Sequence, residues 1–240
     1  MARRSRIFAD VKAVALDGYG TVIDFTEPDF IVTMAEVAAA QGFNVDAADL
    51  WQRFLKASYD MRAEHHHDPV YTRYDEAWAR QFEVCFAQLG IEADAWKAAE
   101  HLRERLATAP AFEEARGFVE ELRRHYPVAM VSNADDDFLT RCLERNKLEF
   151  DVILTSEQAG AIKPNREIFD KAAERLQIPN AHIVYAGDNP IPDVLGPVRA
   201  GMKAVWVNRF GHRKPRGVPQ PHLRVKSLTE LLPKLAPPVG

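Results

Sequence analysis

Five short apolar runs, at residues 11–16, 128–131, 152–154, 183–186 and 204–207, constrain this chain more than any other feature. Each is rich in Val and Ile and lacks the apolar–polar alternation of a strand with one wet face. Strands buried on both faces read this way, and they occur in parallel sheets covered by helices. Helical stretches at 136–147, 165–177 and 191–200 fall between the later runs, and Gly201 stands where a helix C-terminus favours glycine. Strands alternating with helices require right-handed crossovers, so the expected fold is a doubly wound, Rossmann-like α/β core with a parallel sheet.

One long segment breaks the alternation. Residues 27–108 read as helix, with stretches near 30–41, 47–64, 72–89 and 93–107 and no strand signal. Pro28 and Pro110 mark its hinges or boundaries. An insertion directly after the first strand has to rise from the sheet and cover it. The expected organisation is a core of residues 1–26 and 109–240, capped by residues 27–108. Met34, Phe54, Tyr59, Trp78 and Phe82 are expected on the buried stripes of the cap helices, some of them lining a substrate chamber.

Charge and cysteine usage exclude several classes. The 31 Lys and Arg against 35 Asp and Glu leave a net charge of −4, where a dedicated nucleic-acid binder would be strongly basic. The basic stretch 209–216, with its Gly and Pro, is therefore expected as a surface loop. Two cysteines, Cys85 and Cys142, make no disulfide framework and suit a reducing compartment; Cys142 is expected as a small apolar residue. With no apolar run of about 18 residues and no leader-like apolar stretch before Asp10, a cytoplasmic protein is expected. His65, His66, His67 and Asp68 are consecutive, whereas zinc ligands take helical or turn spacing, so they are expected as a solvated or substrate-facing loop.

Open parallel sheets bind ligands at the carboxyl ends of their strands, so the residues just beyond each run carry the chemistry. The first run leads into Asp17-Gly18-Tyr19-Gly20-Thr21, the second into Ser132-Asn133. After the third a short loop reaches Lys163-Pro164, and the fourth leads into Gly187-Asp188, with Asp193 five residues on. Singly, each has an ordinary explanation: a turn, a helix cap, a solvated loop. Their order after successive strands points instead to nucleophilic catalysis by a carboxylate. Asp17 would attack an electrophilic centre. Ser132 and the amides after it would hold substrate oxygens at a helix N-terminus. Lys163 would neutralise charge between nucleophile and substrate. Asp17 and Asp188 repel each other unless a hard cation lies between them, and Mg²⁺ prefers such oxygen ligands.

This set resembles the haloacid dehalogenase-like hydrolase superfamily. Its four motifs run Asp-x-Asp-Gly-Thr, Ser or Thr, Lys, and Gly-Asp-x-x-x-x-Asp, and its C1 cap is inserted between the first two. The resemblance implies Asp17 as nucleophile, Thr21 as its hydrogen-bond partner and Lys163 as charge neutraliser. It implies Ser132, Asn133, Gly18 and Tyr19 beside the substrate. Mg²⁺ would be held by Asp17, Asp188 and the backbone carbonyl of Tyr19, with Asp193 as a water-mediated or outer partner. Gly20 would allow a sharp exit from the strand. The implied partner is a small-molecule substrate, with no nucleic acid and no membrane; a homodimer is allowed for.

One substitution divides the family reading. Tyr19 stands where phosphatases of the superfamily keep a carboxylate as general acid and base, work worth about 10²–10⁴ in rate. Tyrosine there is what the 2-haloacid dehalogenases carry, since halide leaves unprotonated. Those dehalogenases also replace the first acid of the fourth motif by Ser and keep an Asn two residues on; this chain has Asp188 and Pro190. They keep a Tyr six residues after the lysine, where this chain has Phe169. Their cap offers an Arg directly after a Trp, whereas here Trp51 is followed by Gln52 and then Arg53. The leading expectation is a Mg²⁺-dependent phosphatase acting through an aspartyl intermediate. The alternatives are a 2-haloacid dehalogenase and a catalytically weak binding protein of the same fold.

Overall fold

The computed structural model describes residues 8–63 and 71–235. All five apolar runs are strands: β1 (Ala13–Leu16), β2 (Val128–Ser132), β3 (Val152–Thr155), β4 (Ile183–Gly187) and β5 (Lys203–Val207). A sixth, β6 (Leu223–Val225), is added at the edge. The described strands form one parallel sheet in the order β3-β2-β1-β4-β5-β6. The strand order reverses between β1 and β4, where a doubly wound sheet opens a crevice for ligand.

Both faces of the sheet are dry, which is why the runs do not alternate. Val14, Leu16, Val128, Met130, Val184 and Ala186 pack into one hydrophobic layer. Their neighbours Ala13, Ala15, Ala129, Val131, Ile183 and Tyr185 pack into another. Burying a side chain such as Leu16 contributes about 1.5–3 kcal/mol.

Helices α1 (Glu27–Gln41), α2 (Ala47–Ala63), α3 (Tyr74–Leu89) and α4 (Ala95–Ala107) come after β1, as their apolar spacing predicts. A Thr26–Asp29 capping box with Pro28 starts α1, and Asp94 caps α4 by accepting from the Lys97 N–H. Met34, Phe54, Trp78 and Phe82 are buried as expected, but Tyr59 is 62% exposed. Its place on α2 faces a solvent-open cavity rather than a neighbouring helix.

The remaining helices are α5 (Ala115–Arg123), α6 (Asp136–Arg145), α7 (Ser156–Ala159), α8 (Arg166–Leu176), α9 (Gly196–Ala200) and α10 (Leu228–Leu231). Residues 191–200, expected as one helix, are a single π-type turn, Ile191–Leu195, running into α9; Gly201 ends it with φ +89°. The four-helix segment docks on α6. Arg141 grips Glu104 of α4 with two 2.7 Å bonds, and Trp78 and Tyr74 of α3 lie on Phe138 with ring centroids 5.5 and 6.5 Å away. Asp135, at the start of α6, accepts from the Tyr71 hydroxyl and the Tyr74 N–H, both at 2.8 Å.

Candidate active site

Chain geometry at the end of β1 creates the first part of the site. The Asp17 N–H donates to the Ala186 carbonyl at 2.9 Å, which fixes Asp17 at the carboxyl edge of the sheet. The Gly18 carbonyl then receives the N–H groups of Thr21, Val22 and Ile23, so the chain folds back at once. Gly20 makes the reversal with φ +85°, and a Cβ there would lie 2.5 Å from Asp188 Oδ2. Gly20→Ala should therefore cost about 1–2 kcal/mol for the left-handed backbone alone, and should displace Asp188. Denaturant unfolding together with Mg²⁺ calorimetry checks both effects; an unchanged midpoint would contradict them.

Lys163 is the hub. It is 3% exposed, and its ammonium donates to Asp17 Oδ1 at 2.5 Å, Asp193 Oδ1 at 2.7 Å and the Tyr185 hydroxyl at 2.8 Å. Burial works against its charge, but Asp17 and Asp193 outweigh that and hold its pKa well above the ordinary lysine value. The loop carrying it is fastened by Asn133, whose amide oxygen accepts from the Lys163 N–H and whose amide nitrogen donates to the Lys163 carbonyl. Both ends of the Asn133 side chain are thus engaged in placing the lysine. Tyr185 donates to the Val131 carbonyl at 2.9 Å and stacks edge-on against Phe169, centroids 5.2 Å apart. The sequence singled out no hydroxyl beside Lys163; Tyr185 supplies one from within β4.

Thr21 donates to Asp17 Oδ2 at 3.2 Å and lies 3.4 Å from Asp188 Oδ1. One carboxylate oxygen each from Asp17, Asp188 and Asp193 falls within 4.8 Å of the others. Three carboxylates, Asp17 and Asp193 buried and Asp188 half-buried, against one ammonium leave two negative charges unbalanced. Asp188 shows the consequence: burial first, then the charges of Asp17 and Asp193, push its pKa well above the carboxylate range. A hard divalent cation with oxygen ligands fits this donor set and its charge. The indole N–H of Trp206 holds the Asp188 carbonyl at 2.7 Å, and the Asn189 N–H donates to Asp193 Oδ2 at 3.0 Å, so the Asp188 backbone and the Asp193 carboxylate are both anchored.

Other expected features are placed differently. The amides expected to receive substrate oxygens are partly committed: Ala134 N–H donates to Ser156 Oγ at 3.0 Å and Asp136 N–H to Glu157 Oε2 at 2.8 Å. Ser132 remains at the cavity, with its Oγ 2.9 Å from where a Cβ on Gly18 would stand. Tyr19 does not aim its hydroxyl at Asp17. It donates to the Leu106 carbonyl at 3.3 Å, and its ring packs on Phe25 and Phe138. Arg53 pairs with Asp49 on α2 at 2.7 Å and is not among the residues lining the cavity. Arg209, at the start of the expected surface loop, is largely buried; it bonds Glu114 at 2.7 Å and the Thr21 carbonyl at 2.9 Å, with its guanidinium 3.7 Å from the Phe112 ring centre. It braces the loop that carries Asp17. His65, His66, His67 and Asp68 lie outside the described residues.

A cavity of about 630 Å³ opens over the four motifs, with Asp17, Ser132, Lys163 and Asp188 on one side and aromatic residues of α1 and α2 on the other. An adjoining one of about 200 Å³ shares Tyr19, Phe30 and Trp51 with it. No helix among the described residues is long and apolar enough to cross a membrane.

Three comparisons bear on this geometry. The phosphoserine phosphatase of Thermus thermophilus is 33% identical over 171 residues, covering 65% of this chain and 66% of that one. The (S)-2-haloacid dehalogenase 4A of Burkholderia cepacia is 27% identical over 234 residues, covering 94% and 95%. The L-2-haloacid dehalogenase RSc1362 superposes with a TM-score of 0.79 at 20% identity, over 94% of this chain and 99% of that one, a likeness of fold. The chain spans 50% and 66% of the length of the first two curated relatives it matches. Residues 11–201 match the family of haloacid dehalogenase-like hydrolases, and with four motif residues brought together at the carboxyl edge of its sheet, the chain belongs to that family.

Proposed function

We propose that this hydrolase cleaves phosphomonoesters, with Asp17 as nucleophile and residues 27–108 as a cap over a core of 1–26 and 109–240. The observation that carries the reading is Asp188: a half-buried acid beside the buried Asp17 and Asp193 in a cluster that has one lysine for three carboxylates. Halide release needs no such acid. Mg²⁺ held by Asp17, Asp188 and the Tyr19 carbonyl, with Asp193 as the outer partner, would supply charge neutralisation for an incoming phosphoryl group.

The chain's own residues do the rest. Asp17 forms a bond to phosphorus through one carboxylate oxygen as the ester oxygen departs, and water then hydrolyses the aspartyl phosphate. Thr21 orients the carboxylate. Lys163, poised at 2.5 Å, offsets negative charge where nucleophile and substrate meet. Ser132 holds a phosphoryl oxygen. The cap excludes water from the first step and opens to exchange substrate for product.

A 2-haloacid dehalogenase is the second reading, favoured by Tyr19 and by the near full-length match to such an enzyme. A panel of phosphate esters and 2-haloacids, each with Mg²⁺ and with EDTA, separates the two. Phosphate release lost in EDTA supports the proposal; halide release indifferent to EDTA supports the alternative. For Asp188→Ala, calorimetry should show Mg²⁺ affinity lower by more than about tenfold, since losing even an outer partner of a metal site costs about that much. Unchanged affinity would remove the cation from this place.

A further inference from the structure

We infer that the organic part of the substrate is uncharged and carries a flat apolar ring, bound at the cavity mouth between Tyr59 and Phe210, in front of the Phe30–Trp51 stack. This rests on the phosphomonoester reading for the other end of the molecule. The ring-binding end has geometry of its own.

Single apolar side chains left in water are ordinary, but several gathered around one cavity mark a place where something binds. Tyr59, Phe210 and Ile191 are 62%, 63% and 42% exposed. They come from three separate parts of the fold, α2 and the loops after β5 and β4, and all three line the 630 Å³ cavity. Behind them the wall is a preassembled aromatic stack. Phe30 lies on Trp51 with centroids 4.4 Å apart and planes 11° from parallel, and Phe25 meets Phe30 edge-on at 4.7 Å. Rings prefer such offset-stacked and edge-to-face neighbours.

Charge argues the same way. Among the described lining residues the only Lys or Arg is Lys163, already shared by Asp17, Asp193 and Tyr185. Glu27 stands at the rim beside Thr26, bonded to Gln52. With Mg²⁺ offsetting the motif carboxylates, a carboxylate on the organic part would still meet Glu27 and, among the described lining residues, one imidazole, His212, and no guanidinium fork. Size agrees too. Cavities of about 300–1,000 Å³ suit ligands much larger than a two- or three-carbon acid.

The test uses the full chain with Mg²⁺ and phosphonates, which bind without being hydrolysed. Calorimetry would compare 2-phenylethyl-, 2-cyclohexylethyl- and propylphosphonate with phosphonoacetate and 2-aminoethylphosphonate. The phenyl compound should bind about tenfold more tightly than the propyl one and more tightly than the cyclohexyl one, with both charged compounds weakest. In Tyr59→Ala/Phe210→Ala, which alters only exposed side chains, the phenyl-to-propyl ratio should fall to about threefold or less. A charged compound matching the phenyl one, no preference for the flat ring, an unchanged ratio in the variant, or no binding by any of them would overturn the inference. Turnover of phenyl and 4-nitrophenyl phosphate, whose leaving groups need little protonation, is measured alongside. If the phosphonates rank as expected and neither aryl ester is hydrolysed, the ring site stands and the phosphatase reading fails. Hydrolysis of the aryl esters with no ring preference in binding has the reverse meaning.

Discussion

Asp17→Asn should reduce hydrolysis by at least about 10²-fold on any substrate the enzyme takes, whether phosphate or halide is released. An amide oxygen keeps the shape of the carboxylate and can still accept from Thr21, now 3.2 Å away, but it is no nucleophile. The fold should survive. Lys163 retains Asp193 at 2.7 Å and the Tyr185 hydroxyl at 2.8 Å, and the repulsion that raises the pKa of Asp188 is relieved. Thermal unfolding should accordingly occur at the wild-type temperature or slightly above it. Initial rates give the first quantity and a melting curve the second. Rapid quenching and intact-mass analysis add a chemical check, since the aspartyl adduct should form in the wild type and be absent from the variant. Activity above about a hundredth of wild type would take the nucleophile's role away from Asp17.

Much of this arrangement was legible in the sequence because burial on both faces leaves a mark. The five longer strands show as runs of Val and Ile, and Asp17, Ser132 and Asp188 come directly after three of them, so topology alone brings those residues to one edge. What stayed hidden depends on side-chain direction or on partners far along the chain. β6 is three residues long with an exposed Arg224 at its centre, too short for a period to register. Tyr185 sits inside an apolar run and reads as packing; its hydroxyl gains meaning only when Lys163, 22 residues earlier, folds against it. Tyr59 has the spacing of a buried stripe, yet the face it shares is completed by a cavity. The amides of Ala134 and Asp136 belong to a helix N-terminus in sequence, but Ser156 and Glu157 reach them first in space. Arg209 looks like one charge in a basic loop until Glu114 and Phe112 enclose it.

Tyr19→Asp should speed alkyl-phosphate hydrolysis by up to about 10²-fold, because position 19 then carries a carboxylate to protonate the departing oxygen and later activate water. The geometry strengthens that expectation. The Tyr19 hydroxyl is turned to the Leu106 carbonyl, and burial first, then the neighbouring Cys142, push its pKa well above the ordinary phenol value. At neutral pH it neither gives nor takes a proton. Wild-type turnover should therefore depend steeply on the leaving group, with aryl phosphates far ahead of alkyl phosphates, and the variant should flatten that dependence. The substitution also removes a ring packed 6.0 Å from Phe138 and 6.4 Å from Phe25, so a stability loss of about 3 kcal/mol should accompany the gain in rate. Rates are best compared well below the melting temperature. If halide is the true leaving group, no proton is needed, and the added carboxylate places a second negative charge beside Asp17. Halide release should then fall and no phosphatase activity should emerge. A steep leaving-group slope in the wild type that the new aspartate removes belongs to phosphoryl transfer alone, because it requires an oxygen that must be protonated as it leaves.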